Sequence, residues 1–178
     1  MARSRNDHLK FQVYRGEAFR QALGLLIDEQ AQLDPPAIDC TRIKIEPITR
    51  AAIEASFLWG DGGLYPWEDV LGWKKKSPKG IDIALWFDQE LCGMCYATPR
   101  DSKITIKVIL LEGKDDKTHP LKGYVLPLSM AIVDSYARMI QCQTIEIQEP
   151  DPGCVAWYQE NGFDYDDERR LVISVQSA

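Results

Sequence analysis

Apolar residues recur at helical spacing over residues 17–33, where Phe19, Leu23, Leu26, Ile27 and Ala31 share one face and Asp34-Pro35-Pro36 ends the run. The period then changes. Arg42-Ile-Lys-Ile-Glu alternates as a half-buried strand does. Thr49 is placed to cap a short helix reaching Phe57, its hydroxyl accepting from a first-turn N–H. From Trp59 to Gly80 the pattern becomes a loop, with a short helix over 68–75, and it holds three of the five tryptophans. Residues 81–88 and 91–98 are β-rich and separated by a hairpin-length gap, and 104–111 is a third strand rich in β-branched residues, so an antiparallel meander is expected. Pro127 suits the first turn of the next helix, where an N–H has no intrahelical acceptor in any case, and Met130, Val133, Ala137 and Ile140 mark a buried stripe. A strand over 144–148, a short helix over 155–161 closed by Gly162, and a strand over 171–175 complete the order α-β-α-α-β-β-β-α-β-α-β. The class is α/β.

Composition narrows the setting. A chain of 178 residues that is 45% apolar buries a sizeable core as one domain, and no repeat or linker divides it. No apolar run approaches the roughly 20 residues of a membrane span. Arg3, Arg5, Asp7 and Lys10 lead into no secretory segment, so a cytoplasmic location is expected. The five cysteines are odd in number and lie in apolar surroundings, as buried reduced thiols do. Cys92-Gly-Met-Cys95 has redox or metal spacing, but it sits in a strand-like run without a second ligand pair, and no metal is expected there. With His8 and His119 the only histidines, a His-rich metal site is excluded. The formal charge of -6, with Lys74-Lys75-Lys76 the one basic run, speaks against nucleic acid and is compatible with a cationic partner such as an amine.

The element order and one stretch, Asp151-Pro-Gly-Cys154-Val-Ala-Trp-Tyr158-Gln-Glu-Asn-Gly162-Phe163, resemble the GNAT superfamily of N-acetyltransferases. Tyr158, Gly162 and Phe163 match that superfamily's Asn-x-x-Ala…Tyr-x-x-x-Gly-Phe pattern, with Asp151 in place of the usual asparagine and Cys154 in place of a small residue. The likeness runs from Arg42 to Val175. Residues 1–40 lie outside it and read as an N-terminal helical extension packed on a domain of residues 41–178. The helical stripe over 17–33 packs on this domain or on a second copy in a homodimer; its polar face is not basic enough for a membrane surface.

The resemblance implies a mixed, mostly antiparallel central sheet flanked by helices, of the acyl-CoA N-acyltransferase type, with acetyl-CoA (coenzyme A) as co-substrate. The pantetheine arm would enter a splay between the strand ending near Glu112, beside Leu110 and Leu111, and the strand over 144–148. An exposed strand edge offers the N–H and C=O groups that the arm's amides need. The pyrophosphate loop of the superfamily, Gln/Arg-x-x-Gly-x-Gly/Ala, falls on Pro120-Leu-Lys122-Gly123-Tyr124-Val125, a degenerate version that keeps only the central glycine, adds the bulk of Val125 where the backbone must approach the phosphates, and offers the charge of Lys122 before a helix N-terminus. Asp151 joins these as a cofactor contact. Tyr158 matches the tyrosine that protonates the leaving thiolate, and Glu112 stands where some members carry the carboxylate that deprotonates the amine. Trp59, Tyr65, Trp67 and Glu68, with Trp73, Asp61 and Asp69 nearby, occupy the acceptor-pocket segment, where aromatic faces and carboxylates suit a protonated amine. The same aromatics equally serve to fasten a loop to the core. Two functions therefore stand: acetyl transfer to an amine of a small molecule or a protein, or a catalytically inactive GNAT-like binding or inhibitor protein that works by protein-protein interaction through its N-terminal helix and aromatic loop.

Overall fold

The computed structural model describes residues 2–60 and 65–176, so Asp61 lies outside the described residues. Helix α1 (Ala2–Ala31) leads through a short 3-10 turn to β1 (Ile43–Glu46) and α2 (Arg50–Ser56). A 3-10 turn at Trp67–Asp69 then runs into α3 (Val70–Lys76). Strands β2 (Ile81–Phe87), β3 (Glu90–Pro99) and β4 (Thr105–Gly113) follow. Helix α4 (Val125–Met139), β5 (Thr144–Ile147), α5 (Val155–Glu160), β6 (Asp164–Tyr165) and β7 (Leu171–Ser174) complete the chain. The seven strands form one sheet in the order β1-β2-β3-β4-β5-β7-β6, antiparallel throughout except for the parallel β4–β5 pair.

Two apolar layers cover the sheet. On one face α1, α4 and α5 pack over Ile83, Leu85, Cys95, Ile106 and Val108; on the other, α2, α3 and the intervening loop pack over Ala84, Leu91, Met94, Tyr96 and Leu110. Strand β3, buried on both faces, is the centre of the molecule, which is why its sequence is nearly continuous in apolar residues rather than alternating. Thr49 caps α2 by accepting from the Ala52 N–H, as its position predicts. Among the described residues no helix is long and apolar enough to cross a membrane, and all five cysteines are free thiols.

Three expectations change. Helix α1 begins at Ala2 rather than near residue 17, because its first half carries no apolar stripe that periodicity could detect; Leu9 and Val13 there are exposed. Its buried face carries Ala18, Ala22 and Leu26, one turn apart, the two alanines letting α1 approach α4 closely, while Ile27 points to solvent. The buried surface of α4 is wider than one stripe, since α1 covers it on one side and the sheet on the other: Leu128, Ser129, Ile132, Val133, Tyr136 and Ala137 are buried, and Met130 and Ile140 only half so. Gln30 locks this arrangement, its Oε1 accepting from the Ile38 N–H at 3.0 Å and its Nε2 donating to the Tyr124 hydroxyl at 3.4 Å. The two-residue β6 has no sequence signal of its own.

Candidate active site

The parallel pairing of β4 with β5 covers only Thr105↔Thr144 to Val108↔Ile147, and the last bond is from the Gln148 N–H to the Val108 carbonyl at 2.9 Å. Beyond that point β4 is paired with β3 alone. Chain chemistry explains the stop. Glu149 adopts φ 45 and Pro150 has no N–H to give, so β5 cannot continue and the chain turns away. The opening is reinforced from the other side: Tyr96 pairs with Leu110 and Ala97 with Val108, leaving Ile109 as an extra residue. Such a bulge bends a strand and resets its alternation. Here it puts Leu110 into the layer of α2 and α3 while Leu111, half-buried, packs against the layer of α4. A splayed sheet with one exposed edge of β4 results.

Helix α5 carries Tyr158 to this opening. Asp151 Oδ1 accepts from the Gly153 N–H at 2.7 Å and its carbonyl from the Cys154 N–H at 2.8 Å, an Asx turn that starts the helix. The Asp151 carboxylate thus has a structural task at the rim. Gly162, at φ 98, reverses the chain so that Phe163 returns against Tyr158, their rings 5.2 Å apart and edge-on. Tyr158 is 3% exposed. Burial, and then the proximity of Cys95 and Cys154, push its pKa far above that of a free phenol. Cys154, at the helix start, is itself pushed up by burial and by Asp151.

Glu112 ends the same edge, and Trp67 Nε1 donates to its Oε2 at 2.7 Å. Tyr65 stands between the two rims: burial raises its pKa, and the charges of Asp151 and Glu112 add to the effect. Tyr65, Glu112, Asp151, Cys154 and Tyr158 therefore form one cluster. The tryptophans do not line it with open faces. Trp67 is 1% and Trp59 3% exposed, and the Trp59 indole donates to the Leu91 carbonyl at 3.1 Å, so both fasten the loop to the core. Glu68 and Asp69 face solvent.

The loop before α4 meets the second rim. Lys122 and Gly123 are exposed, and Gly123 holds φ 84, a conformation that favours glycine. The helical pattern leaves the Val125 and Leu126 N–H groups without intrahelical acceptors, while Pro127 has none to offer. Val125 does not fill the space in front of them. Its side chain is turned inward over Gly93 and Gly113, so close that a methyl carbon at Gly93 would lie 2.5 Å from Val125 Cγ1. Two backbone donors and a lysine at a helix N-terminus, continuous with an exposed strand edge, fit a phosphate-bearing ligand with an amide-containing arm.

Sequence reasoning missed the bulge at Ile109, the tie between Trp67 and Glu112, and Cys95 behind Tyr158. The first has no local signal, since Val108-Ile-Leu-Leu111 is apolar in either phase; the others join residues far apart in the chain.

No family model and no curated protein sequence matches the chain. Solved structures do match in fold. Ard1 from Thermoplasma volcanium superposes with a TM-score of 0.59 at 12% identity, covering 76% of this chain and 99% of that one. A GNAT-family acetyltransferase from Staphylococcus aureus Mu50 gives 0.58 at 10% identity, covering 75% and 99%. A Bacillus subtilis acetyltransferase in complex with CoA gives 0.53 at 17% identity, covering 76% and 99%. The fold is that of the GNAT acetyltransferases.

Proposed function

We propose that the chain is an N-acetyltransferase that moves an acetyl group from acetyl-CoA directly to an amine. The observation that carries this is the termination of β4–β5 pairing at Val108, with Tyr158 buried beside the resulting gap. The edge of β4 at Leu110 and Leu111 would receive the pantetheine amides, and Lys122 to Val125 the pyrophosphate. Asp151 would act at the rim, by holding the turn that presents α5.

In the reaction the amine nitrogen attacks the thioester carbonyl carbon, the C–S bond breaks, and the amine sheds a proton to Glu112, directly or through water. Tyr158 donates its hydroxyl hydrogen toward the departing sulfur. This phenol, a weaker acid than a thiol even when free and weaker still when buried, remains protonated at neutral pH, and its contribution is to stabilise the charge growing on sulfur; water supplies the proton that the free thiol keeps. Trp67 positions the Glu112 carboxylate. Tyr65 and the exposed Glu68 are the groups of the loop placed to meet an amine, and Trp59 and Trp67 support them from the core.

A second function keeps the fold without transfer: a binding protein acting through protein-protein contacts. It is favoured by the loop before α4, where Gly123 is the one glycine from 120 to 125 and Pro127 removes a donor from the first turn. Melting the protein with acetyl-CoA against an ADP control separates the two. A ligand bound only by the native state, at about 100 times its Kd, adds about 2.7 kcal/mol of stability. A rise with acetyl-CoA alone, followed by acetyl transfer to one of a panel of polyamines, aminoglycosides and peptide amines, supports the enzyme; no binding at millimolar acetyl-CoA overturns it.

A further inference from the structure

A cavity of about 720 Å³ lies apart from the splay, between α1, α3 and the chain that enters β2. It shares no residue with the cluster of Tyr65, Glu112, Asp151, Cys154 and Tyr158. One wall is α1 from His8 to Phe19, the other is Leu71, Lys74 and Lys75 of α3, and Asp82 and Tyr96 form the floor. Its volume is in the range of small-molecule sites, about 300–1,000 Å³.

The charge of the walls is opposite to that of the chain. Arg15 Nε donates to the Gly80 carbonyl at 2.8 Å and its Nη2 to the Pro78 carbonyl, which orients the guanidinium without neutralising it. Among the described residues no carboxylate pairs with Arg15 or with Lys75, whereas Lys74 is offset by the buried Asp82 at 2.7 Å. Two uncompensated cations thus face one concavity in a protein of formal charge -6. A guanidinium held in one orientation by two carbonyls and the Tyr136 side chain is a group well shaped for a carboxylate or phosphate. Around it the lining is apolar, with Phe19, Pro47, Leu71 and the ring of Tyr96.

Gly16 adds an independent observation. Inside a helix glycine is less favourable than alanine by about 1 kcal/mol, and a β-carbon at Gly16 would meet nothing within 4 Å. Packing does not demand glycine there, yet the residue lines the cavity.

We propose that this cavity binds a small organic anion, an aromatic or aliphatic body bearing one carboxylate or phosphate, held by Arg15 and Lys75 with its body against Phe19 and Tyr96. The test titrates the whole chain by calorimetry with 2-naphthoate, 2-naphthyl phosphate and the neutral 2-naphthamide, and does not depend on acetyl transfer. At least one anion is expected to bind about tenfold or more tightly than the amide, and the order of the two anions identifies the head group. Lys75→Ala should weaken that anion about three- to tenfold, less at high salt. Gly16→Leu should abolish binding while circular dichroism and the melting temperature show an intact fold. Equal binding of anion and amide, no binding of either anion at millimolar concentration, or full affinity in folded Gly16→Leu would overturn the proposal.

Discussion

Trp67 Nε1 and Glu112 Oε2 meet at 2.7 Å, joining the aromatic loop to the end of β4 across 45 positions of sequence. The indole is 1% exposed and the carboxylate half-buried, so a donor fixed in the core sets where the carboxylate points. Trp67→Phe keeps an aromatic ring but removes the donor. A loss of about 1–3 kcal/mol is expected from urea unfolding, the range for removing a hydrogen bond to a charged group. If Glu112 takes the amine's proton, the same variant also lowers turnover, and the loss is recovered in neither Glu112→Gln nor Glu112→Ala.

Tyr158→Phe tests the chemistry at the gap. The ring stays against Phe163 and Trp157, so acetyl-CoA affinity should hold while kcat falls by at least about tenfold, because the lost interaction exists mainly in the transition state. Full turnover in this variant would remove Tyr158 from the mechanism.

Lys122→Ala is expected to weaken acetyl-CoA binding, and by more at low than at high ionic strength, since the contact is exposed and screened beyond a Debye length of about 10 Å at 0.1 M salt. A loss indifferent to salt would indicate damage to the fold.

Gly93 and Val125 form a tight pair across the face of β3. Gly93→Ala should cost about 1–3 kcal/mol through overpacking, and the Val125→Ala background should recover most of it, giving a double-mutant cycle that is far from additive. Additive losses in urea unfolding would show that the valine moves freely.

His119 gives a pH signature. It is 5% exposed and its Nδ1 has no partner among the described residues; burial first, and then the charge of Lys122, hold its pKa below the ordinary 6.5, with Lys114 acting in the same direction and Glu90 and Asp116 opposing. The folded chain therefore takes up this proton at lower pH than the unfolded one. Stability from the neutral imidazole is complete above about pH 6.5 and is lost as pH falls below it. Relative to His119→Gln, the wild type should lose stability between about pH 7 and pH 5; a difference constant over that window would contradict the assignment.

Local spacing made the strand order, the Thr49 cap and the Tyr158-to-Phe163 unit legible, because each is written within a few residues. What stayed hidden was set at a distance. The inward turn of Val125 depends on a glycine 32 positions earlier in β3, and the fate of Trp59 and Trp67 depends on partners in β3 and β4. The first half of α1 was invisible for a different reason: a helix with no buried stripe has no period to read.

The extra residue at Ile109 also makes chain length a matter of parity. On either side of it, odd and even positions of β4 exchange faces, so removal of Ile109 or Leu110 would swap Leu111 and Glu112 between the two layers and separate the carboxylate from Trp67. The same deletion in the connection from 114 to 124 would only shorten a crossing. In this strand a missing residue is a sign error, and in the loop next to it a small change of distance.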